Sequence, residues 1–264
     1  MQKILLVTGK KQSGKSSLVR FLHGHIMKKN QAIRCFDINE HGKLEVNALI
    51  QDENGNEREE MGEIDIHRRD FEFAQFASES IWPFCKVYSF AEPLKESIIN
   101  IFGVERSKLY GNNDEKNEST TLKFSDFAFA LLPKEIEKLK KDDKYHNFMT
   151  AREVAQIFGT RVCRRIQDRC WLDRTLEKIV AEECEFPMID DGRFINEVEP
   201  VKLIGGKVLR LTRKIEDSDF ESETDLDNYD GFDGIIDNQE MSIYEKNMAA
   251  FEILKSWGWV DGEP

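Results

Sequence analysis

Aliphatic and β-branched residues fill Lys3–Thr8 on both faces, the pattern of a strand buried on both sides of a parallel sheet. After a Gly-containing loop, apolar residues recur at helical spacing through Ser16–Lys29. Cys85–Phe90, Phe186–Ile189 and Lys207–Leu211 have the same buried-strand character. Helical periods lie between them: Phe71–Trp82, Leu94–Phe102 after Ala91-Glu92-Pro93, Trp171–Glu183, and a helix closed by Gly205-Gly206. Thr150 with Glu153, and Ser242 with Glu245, have capping-box spacing. The first pair opens a helix to about Arg165; the second opens a last helix with Ile243, Tyr244, Met248, Phe251 and Leu254 on its buried side. Such β-α alternation predicts an α/β fold with a central, mostly parallel sheet flanked by helices.

Two stretches break the alternation. In residues 34–70, Leu44–Gln51 has strand character, Asp52–Asn56 is turn chemistry and Glu63–His67 is the expected returning strand, so an inserted hairpin is predicted. Tyr110–Thr121 is polar and is expected as an irregular loop. Phe124–Lys144 is expected as mainly helical with a break at Pro133. Residues 105–150 are expected as a helical lid or acceptor-side region within a single domain spanning 1–264.

Composition narrows the function. The 264 residues carry 38 Lys+Arg against 50 Asp+Glu, a net charge of −12, which argues against a nucleic-acid partner. No run approaches the ~18 apolar residues of a membrane span, and Met1–Gly9 enters a strand instead of a basic leader. A cytoplasmic protein without a membrane partner is expected. Eight acidic and no basic residues between Glu216 and Asp230 predict a solvated loop. The five scattered cysteines lack metal-ligand spacing and are expected as reduced, buried thiols.

The most specific chemistry lies in Gly9-Lys10-Lys11-Gln12-Ser13-Gly14-Lys15-Ser16, which matches G-x-x-x-x-G-K-[ST] between a strand and a helix. In such a loop backbone N–H groups, including those around Ser13 and Ser17, turn toward phosphate oxygens. Lys15 reaches the β- and γ-phosphates, and the Ser16 hydroxyl ligates Mg²⁺. The pattern occurs by chance in roughly one chain per hundred of this length, and its context lowers those odds. A nucleoside triphosphate with Mg²⁺ is therefore the expected ligand.

Two further clusters bear on where the phosphate goes. Arg152 stands in the first turn of a helix, where a cation is unfavourable by about 0.3–1 kcal/mol unless an anion binds there. At helical spacing Gln156 and Gly159 share its face, with Thr160 next, and a mid-helix glycine implies close approach to the backbone. On residues alone, a solvated helix face is an equal alternative. In Asp190-Asp191-Gly192-Arg193, at the carboxyl end of a strand, Asp190 or Asp191 is placed to hold Mg²⁺ through water or to accept from an acceptor hydroxyl, and Arg193 to clamp a phosphate; a strand-end turn with a local Asp–Arg pair is the alternative.

Taken together, TAREVAQIFGTRVCR from Thr150, CWLDRT from Cys170, IDDGRFINEVE from Ile189, GGKVLRLTR from Gly205 and SFAEPLKE from Ser89 resemble the deoxynucleoside monophosphate kinases encoded by bacteriophages. The likeness spans most of the chain outside residues 34–70. It implies a P-loop α/β kinase that uses ATP as donor and a deoxynucleoside monophosphate as acceptor, working in a host cytoplasm. It further implies that Arg152, Gln156, Gly159 and Thr160 line the acceptor or interdomain cleft, that Trp171, Asp191, Arg193 and Glu197 belong to the monophosphate site, that Lys116 faces its phosphate, and that Arg213 faces the donor. The chain departs from the family in having Ser16 where many members carry Asp, and in lacking the His common near Glu223-Thr224.

Lys15, Arg152 and Arg193 with Mg²⁺ would offset the repulsion between two polyanions, and the largely ionised acceptor phosphate needs no strong base. Another small acceptor such as dephospho-coenzyme A, or a nucleotide-hydrolysing switch, stays open at this level, although the guanine-reading N-K-x-D is absent. Accepted bases and formation of a homodimer are not legible in the sequence.

Overall fold

The chain opens as expected, with β1 (Leu5–Gly9) buried along its length and α1 (Lys15–Lys29) beyond a short loop. The computed structural model describes residues 2–51, 57–213 and 225–263. Then follow β2 (Phe36–Ile38), β3 (Leu44–Gln51), β4 (Glu57–Glu63), α2 (Phe71–Ser80) and β5 (Cys85–Tyr88). The middle of the chain holds α3 (Ala91–Phe102), α4 (Arg106–Tyr110), α5 (Asn113–Lys116), β6 (Ser119–Lys123), a 3₁₀ segment Phe124–Ala130, α6 (Pro133–Lys141) and β7 (Phe148–Thr150). It continues through α7 (Ala151–Gln156), a π-helical segment Ile157–Cys163 and α8 (Arg164–Ile166). Helix α9 (Cys170–Glu182) leads to β8 (Phe186–Gly192), α10 (Ile195–Leu203), β9 (Lys207–Leu211), β10 (Gly234–Ile236) and α11 (Ile243–Ser256). The expected single domain resolves into two compact units, Met1–Ser89 with Leu176–Pro264 and Phe90–Thr175, the segment 105–150 lying inside the second.

In the first unit five strands form a parallel sheet in the order β10-β9-β1-β8-β5, flanked by helices. The chain passes from β1 to the β5 edge, returns through β8, then crosses to β9 on the other side of β1. That reversal makes the carboxyl end of β1 a switch point, where open α/β sheets form their ligand crevice. Leu5, Val7, Leu18, Leu22, Met188, Leu209 and Phe251 belong to the core beneath it.

The segment after α1 forms three antiparallel strands, β2-β3-β4, where a two-stranded hairpin was expected. The returning strand is Glu57–Glu63, not Glu63–His67: β4 is Glu-rich, so cross-strand pairing overrides its weak intrinsic preference. Turn residues 52–56 lie outside the described residues. Cys85 and Cys184 are buried, but Cys35 is exposed, and none of the five cysteines is bridged.

The second unit has its own core of Ile98, Leu109, Phe127, Met149 and Val154. Tyr110–Thr121 is not an irregular loop. Asn112 caps α5 by accepting from Asp114 N and Glu115 N, and β6 pairs antiparallel with β7. Pro133 is the first residue of α6, which explains the expected break. In α11 the capping box forms, with Ser242 Oγ accepting from Glu245 N at 3.2 Å. Tyr244, however, is 71% exposed, and the residues facing inward include Lys246 and Asn247. No described helix is long and apolar enough to cross a membrane.

His23, buried in α1, has its pKa lowered to about 3 by desolvation and by the positive charges of His67 and Arg69. The unfolded chain therefore binds a proton below about pH 6.5 that the folded chain refuses, and stability falls from there down to about pH 3. Denaturant unfolding of His23→Leu at pH 7 and pH 5 should show about 2 kcal/mol less acid sensitivity than the parent protein. An unchanged pH dependence would contradict this account.

Candidate functional site

The loop joining β1 to α1 reverses the chain within five residues. Gly14 takes φ 94°, and Gln12 also has positive φ, at 60°. A side chain on Gly9 would come within 2.5 Å of Ser13 Oγ and 2.8 Å of the Leu211 carbonyl. Lys15 is buried and curls back over the loop, its Nζ donating to the carbonyls of Gly9 at 2.6 Å and Lys10 at 2.8 Å. Ser13 is fully buried and its hydroxyl makes no hydrogen bond. Lys11 lies exposed at the tip.

Ser16 Oγ donates to Asp190 Oδ2 at 3.0 Å. The β1–β8 register slips here: Leu6 pairs with Ile189 but Thr8 with Gly192, so β8 carries one extra residue opposite β1. Such a bulge re-aims side chains at a strand end. Asp190 turns to Ser16, while Asp191 accepts from Ser89 Oγ at 2.6 Å. Of the two carboxylates weighed from sequence, Asp190 is the one beside the loop serine. His67, beyond β4, brings Nε2 to 4.0 Å from the same Asp190 oxygen.

Glu197 is buried and its Oε2 accepts from the backbone N–H groups of Arg193 at 2.8 Å and Phe194 at 3.1 Å. Its carboxylate closes the N-terminus of α10, a capping role that sequence spacing left unnoticed. Arg193, half-buried, follows the end of β8. Arg213 folds against the segment after β10, Nε donating to the Asn238 carbonyl at 3.0 Å and a terminal nitrogen to the Met241 carbonyl.

Asn238 was invisible to motif reading. Fully buried, it donates from Nδ2 to the Ser13 carbonyl at 2.9 Å and accepts from Arg213 N at 2.9 Å. The acidic segment also differs from a solvated loop at its described end. Asp227 accepts from Lys10 Nζ at 2.8 Å and from Arg210 at 3.1 Å, and Asp225 accepts from Ile195 N at 2.7 Å. Asp227 thus pairs with both the loop lysine and the β9 arginine, and Asp225 with a backbone N–H at the start of α10. Residues 214–224, including Glu223-Thr224, lie outside the described residues.

In the second unit Thr150 caps α7 as expected, accepting from Glu153 N at 3.2 Å. Arg152 is half-buried and donates to Asn113 Oδ1 at 3.0 Å. Lys116 lies close enough to Arg152 and Lys95 that burial, with those two charges, lowers its pKa. Arg152 and Lys116 are thus brought together, with Lys95 as a third cation that no motif singled out. Gln156 and Thr160 are exposed, the Thr160 hydroxyl donating to the Gln156 carbonyl.

Gly159 is not on the face of Arg152 and Gln156. It is buried, and a side chain there would come 2.7 Å from Leu94 Cδ2. The π segment explains the difference, because each residue of a wide turn advances less than the about 100° of an α-helix. The close approach expected at this glycine is made by Leu94, and its carbonyl accepts from Trp171 Nε1 at 3.4 Å.

Two oxygen donors, Ser16 and Asp190, suit a hard cation such as Mg²⁺, with water and phosphate oxygens completing its shell. Among the described residues no three His, Cys, Asp or Glu side chains converge as a metal site.

Asn238→Ala removes a buried hydrogen bond to the loop and a second one from Arg213 N, and should lower unfolding free energy by about 1–3 kcal/mol, read by denaturant titration; a change under about 0.5 kcal/mol would contradict a role in bracing the loop. Comparison with known proteins leaves this geometry to stand alone: no family model matches the chain, and no curated protein does.

Proposed function

We propose that the protein is a P-loop kinase that transfers the γ-phosphoryl group of ATP to a deoxynucleoside monophosphate. One observation carries the proposal: at the carboxyl end of the central strand, a glycine loop folds around the Lys15 ammonium and sets Ser16 against Asp190. Lys15 now satisfies loop carbonyls; a triphosphate offers it stronger, charged acceptors in the same place. The N-terminus of α1, which no side chain caps, and the helix dipole favour the same anion. Ser16 and Asp190 would hold Mg²⁺, which on binding neutralises charge on the β- and γ-phosphates.

The acceptor assignment is supported by Lys95, Lys116 and Arg152. Cations gathered in this way repel one another: burial and the charges of Lys95 and Arg152 push Lys116 toward its neutral form, with Glu115 opposing the shift. A dianionic monophosphate relieves that repulsion and is held by it. Arg152 presents a planar guanidinium fork that matches phosphate oxygens, so it is assigned the fixed clamp. Because the acceptor oxygen is already ionised near neutral pH, these residues need only orient it and screen its charge. Arg193 is assigned to the transferring phosphate, where an arginine stabilises charge spread over three oxygens.

A coupled assay of ADP release with each of the four dNMPs tests the activity. Release above the water background with at least one is expected; release equal with and without every dNMP would make water the acceptor and overturn the proposal. Lys15→Ala should lower kcat at least about 100-fold with an unchanged circular-dichroism spectrum. Arg152→Ala should raise KM for the dNMP about tenfold or more while KM for ATP moves less than about twofold, and the reverse pattern would refute the acceptor assignment.

A further inference from the structure

Lys246 is a buried cation for which the proposed chemistry has no use so far. It stands in the first turns of α11, far along the chain from the loop, and is only 2% exposed. Its Nζ donates to the Gly14 carbonyl at 2.8 Å and to Ser17 Oγ at 2.6 Å. Ser17 Oγ in turn donates to the Gly14 carbonyl at 3.0 Å, and Leu18 N donates to it at 3.1 Å. One carbonyl oxygen thus anchors a small ring of donors on the outside of the loop. The lysine stem lies against Gly14, where a side chain would come 3.0 Å from Nζ and 3.3 Å from Cδ.

The chemistry of this contact is specific. The peptide group whose oxygen Lys246 holds is the one whose N–H belongs to Lys15, the first residue of α1. A cation on the carbonyl side polarises that group and strengthens its N–H as a donor. A neutral residue would brace the loop as well, at smaller desolvation cost, so the charge calls for its own explanation. Both partners on the loop and α1 are neutral, and among the described residues the charged group acting on Lys246 is Arg213, also a cation, after β9. Burial and Arg213 lower its pKa to about 7. Among the described residues this arrangement has no counter-charge, and a polyanion in the loop would supply one.

We propose that Lys246 is a positioning residue for the donor triphosphate, fixing Gly14 and Ser17 from behind the loop and adding its charge to the field that the loop presents to the anion. This rests on the kinase assignment for the loop but concerns ATP binding alone. A bound anion raises the pKa of Lys246, so at about pH 8 the loop should take up protons as ATP binds, the triphosphate itself being already ionised.

Calorimetric titration of ATP with Mg²⁺ into the full-length protein at about pH 8, in two buffers of different protonation enthalpy, reads both effects. Lys246→Met should weaken ATP binding about tenfold or more and abolish most of the proton uptake, with the dNMP KM within about twofold of the parent value. Affinity within about twofold of the parent with the same proton uptake would overturn the proposal. If circular dichroism shows Lys246→Met unfolded, Ser17→Ala decides: a loss of about threefold or more in ATP affinity supports it, and unchanged affinity overturns it. A parent protein that binds ATP but phosphorylates no dNMP refutes the kinase assignment and leaves the Lys246 result readable; one that binds no ATP refutes both.

Discussion

Between the carboxyl end of β1 and the first turn of α1 the chain turns a tight corner that buries Ser13 and Lys15, and much of the first unit serves that corner. Carbonyls turned away from the helix need donors. Lys15 supplies those of Gly9 and Lys10 and Asn238 that of Ser13, while Lys246 joins Leu18 N and Ser17 Oγ on that of Gly14. Unpaired, each buried carbonyl would cost about 1–3 kcal/mol, so the loop holds its shape through residues from the loop itself, the segment after β10 and α11. A loop braced from outside in this way needs little reorganisation on binding an anion, the condition under which electrostatic stabilisation is most effective.

Charge is distributed to the same end. The chain carries a net −12, yet cations gather at chosen places: Lys15 and Lys246 at the loop, and Lys95, Lys116 and Arg152 in the second unit. Elsewhere cations are neutralised, as Lys10 and Arg210 are by Asp227. Net charge therefore says little about where an anion is favoured; the local sum of buried or half-buried cations, poorly screened by water, decides it.

The inserted module gains a place in this picture through its last residues. Its three strands form a separate antiparallel sheet, but the turn after β4 brings His67 near Asp190 and directs Arg69 to the Val87 carbonyl at 2.9 Å. The module thus borders the end of the central sheet that carries Ser16 and Asp190.

Features set by neighbours in the chain were legible in the residues. The buried character of β1, the loop and helix after it, the capping boxes at Thr150 and Ser242 and the break at Pro133 depend on residues within one turn of each other, so spacing alone determines them. The third strand of the insertion, the exposure of Tyr244, the turn of Gly159 away from Arg152, the choice of Asp190 over Asp191 and the recruitment of Asn238, Lys246 and Lys95 were not legible. Each follows from strand pairing, a bulge, a π segment or packing between distant stretches; Asn238 meets the loop across 225 residues of chain. The sequence by itself determined the elements and the one loop whose chemistry is contiguous. Only the tertiary structure decided which side chains surround that loop, because long-range contacts are selected by the shape and polarity of the completed core and leave no periodic trace along the chain.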